Sequence, residues 1–266
     1  MKGLFYVTFD TNVAMELSAH SHGSTSPSKE INIIIEAIQV GIIQPHISEA
    51  ALTFELFCPE DRLIILLRYF AKYNRPQMPP VPERARRAYQ EIFDLGFRVL
   101  HAPRIALKSF LEIPSTAWAA DVYFECKERL ARYNHFLEDF GSWGPLNLKQ
   151  LGAKLVKVHK LDTTHCPRLP GYAYPEMQMW AEGLLAEYKK PMCFPSAKEF
   201  LGHIRKLFAD WFDVDSIASH YSYGFDFYVT RDTHGIFSSK HRKRLKEKYG
   251  VLILHPSELV NEISQC

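Results

Sequence analysis

The stretch Leu4-Phe5-Tyr6-Val7-Thr8-Phe9-Asp10-Thr11-Asn12 decides how this chain is read. A compact run of apolar, aromatic and β-branched residues marks a buried strand, and strands buried on both faces belong to parallel sheets. The run stops at an acid. In an open parallel sheet the ligand crevice lies beyond the carboxyl ends of the strands, so Asp10 stands where chemistry is expected.

Working outward, the polar tract His20–Ser28 reads as a loop, and its serines lead into a helix over Lys29–Val40. Ile31, Ile34, Ile35 and Ile38 recur there at helical spacing. Gly41 ends that helix, and Ile42–Ile47 reads as a second strand interrupted by Pro45. Ser48 is positioned to cap a helix over Glu49–Phe57; Pro59 breaks it, and another helix covers Leu63–Tyr69. Strand, helix, strand, helix is the α/β pattern. The proline-rich NRPQMPPVP of residues 74–82 interrupts it. A helix over Glu83–Leu95 and a strand over Phe97–Ala102 come next, then helical periodicity in Ala117–Phe140 and Leu146–His159. After an irregular Asp162–Pro175 come helices near Glu176–Tyr188 and Ala197–Phe212. The chain closes with a helix beginning at Asp213, a strand Phe225–Thr230, a basic helix Ser239–Tyr249, a strand Val251–Leu254 and a short helix after Pro256. The expectation is one α/β domain from residues 1–73 and 197–266 whose ends meet, with a mostly helical insertion over 74–196. No internal repeat is visible.

Composition removes several function classes. Of 266 residues 47% are hydrophobic and 23% charged, which excludes a disordered chain. The 32 Lys+Arg against 30 Asp+Glu leave +2, so no global polycation demands nucleic acid. Five scattered cysteines without a C-x-x-C pair make a disulfide framework or cysteine-rich zinc site unexpected. His20, His22, His165 and Cys166 lack conventional zinc spacing. No apolar run reaches the ~18 residues of a membrane span, and Asp10 interrupts any signal-peptide pattern, so a cytoplasmic protein with no membrane partner is expected.

Acids recur at strand ends. Asp232 follows the Phe225–Thr230 strand; Asp213 and Asp215 begin the helix before it; Glu49 and Glu55 lie on the helix after the second strand. Carboxylates gathered at one sheet edge raise each other's pKa unless a cation neutralises them, and hard oxygen ligands select Mg²⁺ or Mn²⁺. Taken singly, each acid is an ordinary cap or turn residue; Asp226 reads as a turn residue and Glu49 as an acid favouring a helix start.

Val7-Thr8-Phe9-Asp10-Thr11-Asn12-Val13 resembles the opening motif of PIN-domain nucleases, a hydrophobic strand ending in Asp-Thr-Asn. Asp213 through Asp232 resembles that family's second half: an acid on a helix containing Ile-Ala, a glycine, an apolar strand, then Thr-x-Asp, with the acids nineteen residues apart. Ile47-Ser48 through Phe54-Glu55-Leu56 is similar to the intervening helix that contributes a glutamate. The resemblance implies a PIN-like three-layer α/β/α fold with a central parallel sheet, and a ribonuclease with Asp10, Glu55, Asp213 and Asp232 as catalytic acids around Mg²⁺ or Mn²⁺. Asp215 is counted as an extra metal ligand, and Asn12 and Thr230 are expected to orient the acids. The implied partners are single-stranded RNA, an antitoxin or other protein partner, and a second copy of the chain. The implied setting is a toxin–antitoxin pair or RNA processing. The alternative is a catalytically inactive PIN-like module that binds RNA or protein. A phosphatase-like hydrolase is disfavoured because Asp10-Thr11-Asn12 lacks the second acid of a D-x-D.

An acidic pocket needs cations to hold a phosphate backbone. Arg231–Gly250 carries seven Lys/Arg against Asp232 and Glu247, and Arg231, Lys240, Arg242, Lys243 and Arg244 are the expected nucleic-acid contacts. The competing reading is a solvated helix face.

Overall fold

Strand β1 (Phe5–Phe9) is the centre of the molecule. In the computed structural model, which describes residues 3–21, 28–52, 83–104, 113–139, 150 and 197–265, five parallel strands are ordered β3-β2-β1-β4-β5. The others are β2 (Ile43–Ser48), β3 (Arg98–Leu100), β4 (Phe227–Val229) and β5 (Leu252–Leu254). Register runs Thr8↔His46↔Arg98 on one side of β1 and Phe9↔Val229↔Leu254 on the other. Strand order therefore reverses direction between β1 and β4.

Among the described residues, seven helices of defined extent accompany the sheet: α1 (Thr11–Ser21), α2 (Lys29–Gln39), α3 (Glu83–Asp94), α4 (Cys126–Glu138), α5 (Ala197–Tyr223), α6 (Ser239–Tyr249) and α7 (Pro256–Ser264). Period-two alternation sends Val7, Phe9, Ile43, Ile47, Val99, Phe227 and Val229 to one face. There they pack with Val13 and Leu17 of α1, Ile31 and Ile34 of α2, Ile92 of α3 and Leu259 of α7. On the other face Tyr228 and Ile253 meet Tyr133 and Phe136 of α4, Ile217 of α5 and Leu245 of α6. Helices thus cover both faces of a parallel sheet, on the sides right-handed crossovers require when the order reverses at β1. Among the described residues no helix is long and apolar enough to cross a membrane.

Several expectations change. Helix α1 was not assigned from sequence, yet Val13, Ala14 and Leu17 are all fully buried on one helical stripe. Pro45 does not interrupt β2. Phe5 N donates to Ile42 O, so the even residues of β2 face β1 and Pro45 turns its nitrogen toward β3, which pairs only from His46 onward; no ladder bond is lost. The helix expected to begin at Asp213 is the last part of one 27-residue helix, so Asp213 and Asp215 are interior rather than N-terminal. The stretch expected to be helical from Ala117 is irregular until the Glu125–Glu128 capping box starts α4.

Residues 83–104 and 113–139 are not packed apart from the rest. Strand β3 extends the sheet, α3 adds Tyr89 and Ile92 to the first core, and α4 adds Tyr133, Phe136 and Leu137 to the second. A three-residue strand and two amphipathic helices cannot bury their apolar faces alone, which draws them into the common cores. The expected helices over Leu63–Tyr69, Leu146–His159 and Glu176–Tyr188, the proline tract 74–82 and Asp162–Pro175 lie outside the described residues.

Candidate active site

Continuing the strand register by two residues sets Asp10 between Ser48 and Thr230 at the carboxyl edge, beside the reversal of strand order. That is the crevice where α/β sheets take ligands. Asp10 is 6% exposed and accepts hydrogen bonds at both carboxylate oxygens. Thr11 N donates to Oδ1 at 2.8 Å; Thr230 Oγ1 and Asn12 Nδ2 donate to Oδ2 at 2.6 and 3.0 Å. Arg231 N donates to Asn12 Oδ1 at 3.3 Å and Asp232 N to Thr230 Oγ1 at 3.0 Å. Segments more than 200 residues apart in sequence therefore fix one carboxylate.

The other acids approach from different elements. Asp232 is exposed on the loop after β4, its carbonyl accepting from Arg242 Nη2 at 2.7 Å. Asp213 is half-buried on α5. Its height follows from His220, whose Nδ1 is 2.8 Å from Thr8 Oγ1. Asp213 precedes His220 by seven residues, about 10 Å of helix, and Asp10 follows Thr8 by about 6.6 Å of strand. Asp213 lies on the α5 stripe that carries Ile217 and His220, toward the carboxyl edge of the sheet from His220. Glu55 lies outside the described residues. Among the described residues no group of three or more His, Cys, Asp or Glu is arranged to hold a metal ion.

Asp215 occupies a different stripe. Arg104 Nε donates to its Oδ1 at 2.7 Å, Tyr133 Oη donates to the same oxygen, and the side chain has no exposed surface. Burial raises its carboxyl above the ordinary range, opposed by Arg104 and Tyr133. Burial also raises the Tyr133 phenol, with the Asp215 charge adding to it. A carboxylate so enclosed is not presented to a hydrated cation, which corrects the reading of Asp215 as an extra ligand. Arg104 Nη2 also donates to Trp211 O at 3.0 Å, and its guanidinium lies 4.2 Å from the Trp211 ring centroid. Sequence offers no signal for this centre, since Arg104 and Asp215 are 111 residues apart.

The basic segment is partly spent on structure. Arg231 Nε and Nη2 donate to Glu16 at 2.6 and 2.9 Å, and Nη2 donates to Glu30 at 3.0 Å. The Glu16 hydrogen bonds, and then Glu30, hold its guanidinium still more firmly protonated, against partial desolvation. It ties the end of β4 to α1 and α2. Arg242 donates to the carbonyls of Phe237 and Asp232, and Arg244 lies 3.6 Å from Asp139. Lys243 reaches Glu247 along α6 at 3.8 Å, both side chains exposed, and Lys240 is exposed.

Beneath the edge runs a polar seam that the sequence reading did not anticipate. Thr8, His46, Ser48, Ser216, Ser219, His220 and Ser222 are all buried where α5 crosses the sheet. Burial pushes the His46 and His220 imidazoles down to about 3, His220 adding repulsion to His46. Thr8, a hydroxyl in an apolar strand, was the visible signal. Glu49 Oε2 accepts from Ala102 N at 3.0 Å, tying β2 to the segment after β3, and Asp226 Oδ2 accepts from Tyr6 N at 2.8 Å where β4 begins. No protein-family model, curated protein or solved structure matches the chain.

Proposed function

We propose that this chain is a metal-dependent nuclease of PIN type that hydrolyses phosphodiester bonds in single-stranded RNA, as a toxin or as an RNA-processing enzyme. The observation that carries the reading is the Asp10 clamp. An acid at the end of the central strand, beside the reversal of strand order, is fixed by Thr230 and Asn12 from opposite ends of the chain. A carboxylate oriented in this way by fixed neighbours is pre-organised to hold a cation.

The donor set fits a hard divalent cation, because every candidate is a carboxylate oxygen. Asp10 would hold Mg²⁺ or Mn²⁺, with Asp213, Asp232 and Glu55 as further donors, directly or through water. The bound ion would neutralise phosphate charge and lower the pKa of a bound water. The chain's own part is orientation. Thr230 and Asn12 keep Asp10 Oδ2 in one direction, Thr11 N keeps Oδ1, and the Arg231 clamp holds the loop bearing Asp232 against α1 and α2.

A second reading is an inactive PIN-like module binding RNA or a protein partner. Incubating labelled single-stranded RNA with Mn²⁺ or with EDTA separates the two. The nuclease reading expects cleavage in Mn²⁺ alone, abolished by Asp10→Asn and by Asp232→Asn. Cleavage that persists in EDTA or in both variants would overturn it, and binding without cleavage would leave the module.

A further inference from the structure

Beyond the acids, the same edge carries an aromatic pair that the proposed chemistry does not use. The His101 and Trp118 rings stack with centroids 4.0 Å apart and planes 10° from parallel. His101 directly follows the end of β3, two strands from β1, so with strands about 4.8 Å apart it lies about 10 Å across the edge from Asp10. Trp118 is fixed by a parallel bridge to Val99, and Ala119 N donates to Val99 O at 2.9 Å.

The backbone under His101 is held from both sides. His101 N donates to Tyr223 Oη at 3.4 Å, and Ser219 Oγ donates to His101 O at 3.0 Å. Ala102 N is held by Glu49 Oε2, which also stands 3.6 Å from His101 Nδ1. Despite these restraints, 48% of the His101 side chain is exposed, whereas Glu49 is only 12% exposed. Here Trp118 covers one face and nearly half of the side chain meets water. A planar ring already immobilised loses little conformational freedom when a second planar group stacks on it. Aromatic faces beside a phosphate-handling site are the usual platform for unpaired bases, which stack without sequence preference.

We infer that the His101–Trp118 pair is a base-stacking platform that receives an unpaired nucleobase of single-stranded nucleic acid flanking the Asp10 crevice. The inference rests on the nuclease reading for the identity of the strand, and it deepens that reading by naming single-stranded, sequence-tolerant substrate. A duplex, whose bases are already stacked, would not occupy the platform.

The test is fluorescence anisotropy of end-labelled oligoadenylate against the full chain in EDTA, beside an abasic ribose-phosphate strand of equal length. Wild type should bind oligoadenylate at least about fivefold more tightly than the abasic strand. His101→Ala should remove that difference, and His101→Phe, which keeps a ring, should restore it. A purely structural role for His101 would weaken both strands together. Equal binding of the two strands by wild type, an unchanged preference in His101→Ala, or failure of wild type to bind oligoadenylate would each overturn the platform. The two proposals fail separately. Mn²⁺-dependent cleavage without any base preference removes the platform and keeps the nuclease. Base-dependent binding without cleavage in Mn²⁺ keeps the platform and removes the nuclease.

Discussion

Acidifying the protein should unfold it from the seam between α5 and the sheet. His46 and His220 are 2% and 1% exposed, and burial lowers each imidazole from 6.5 to about 3. Below pH 6.5 the unfolded chain takes up protons at these positions while the folded chain does not. The stability they permit is therefore complete above 6.5 and lost as pH falls toward 3. At pH 5 the difference in proton binding amounts to about 2 kcal/mol per imidazole, roughly 4 kcal/mol for the pair. That is a large part of the 5–15 kcal/mol typical of a domain. Urea denaturation at pH 8, 6 and 5 measures it. His220→Asn keeps a polar partner for Thr8 Oγ1 and removes one titrating group, so its loss between pH 8 and pH 5 should be smaller than that of wild type by about 2 kcal/mol. The variant's packing defect is the same at every pH and does not alter this slope. Asp215, whose carboxyl is raised by burial, acts in the opposite sense and cancels between variant and wild type. An unchanged slope in His220→Asn would refute the reasoning.

Three further outcomes follow from the geometry. Arg104→Met leaves the Asp215 carboxylate buried without its cation and should lower stability by about 3–5 kcal/mol, read as a urea midpoint; Arg104→Met with Asp215→Leu should recover most of it. Gly224 has φ +72°, and a Cβ there would stand 2.7 Å from Phe124 Cε2, so Gly224→Ala should cost about 2 kcal/mol or more in thermal unfolding. Arg231→Gln breaks pairs that are about one-third exposed, and should cost only about 1 kcal/mol, falling further at high salt. A loss of RNA affinity in Arg231→Gln with unchanged stability would instead identify it as a phosphate contact.

What could be read in advance was local. The apolar run ending at Asp10, the isoleucine stripe of α2, and the strands before Thr230 and after Gly250 all declare themselves within a few residues, because burial imposes a period of two or 3.6. The parallel sheet follows from their alternation. Asn12 and Thr230 were marked as partners of the acids by motif position, and the structure sets both on Asp10 Oδ2. Helix α1 escaped because its buried stripe of Val13, Ala14 and Leu17 is short and its remaining residues are polar. Asp213 was read as a helix start because an acid often caps one, but no proline breaks the helix from Ala197 to Tyr223. The roles of Asp215 and Arg231 were not legible for a different reason. Each is decided by a counter-ion far away in sequence, Arg104 for one and Glu16 with Glu30 for the other. Acids and bases that look alike along the chain are sorted into ligand, clamp and buried pair only when the topology brings their partners.

The account stands or falls on Asp10 as a cation ligand. Mn²⁺ binding followed by electron paramagnetic resonance on the intact chain tests this without any substrate. Wild type should take up Mn²⁺ and Asp10→Asn, which keeps the side chain's shape but replaces one accepting oxygen with a donating amide nitrogen, should bind it at least about tenfold more weakly. Equal uptake by the two proteins, or none by wild type, would contradict the account.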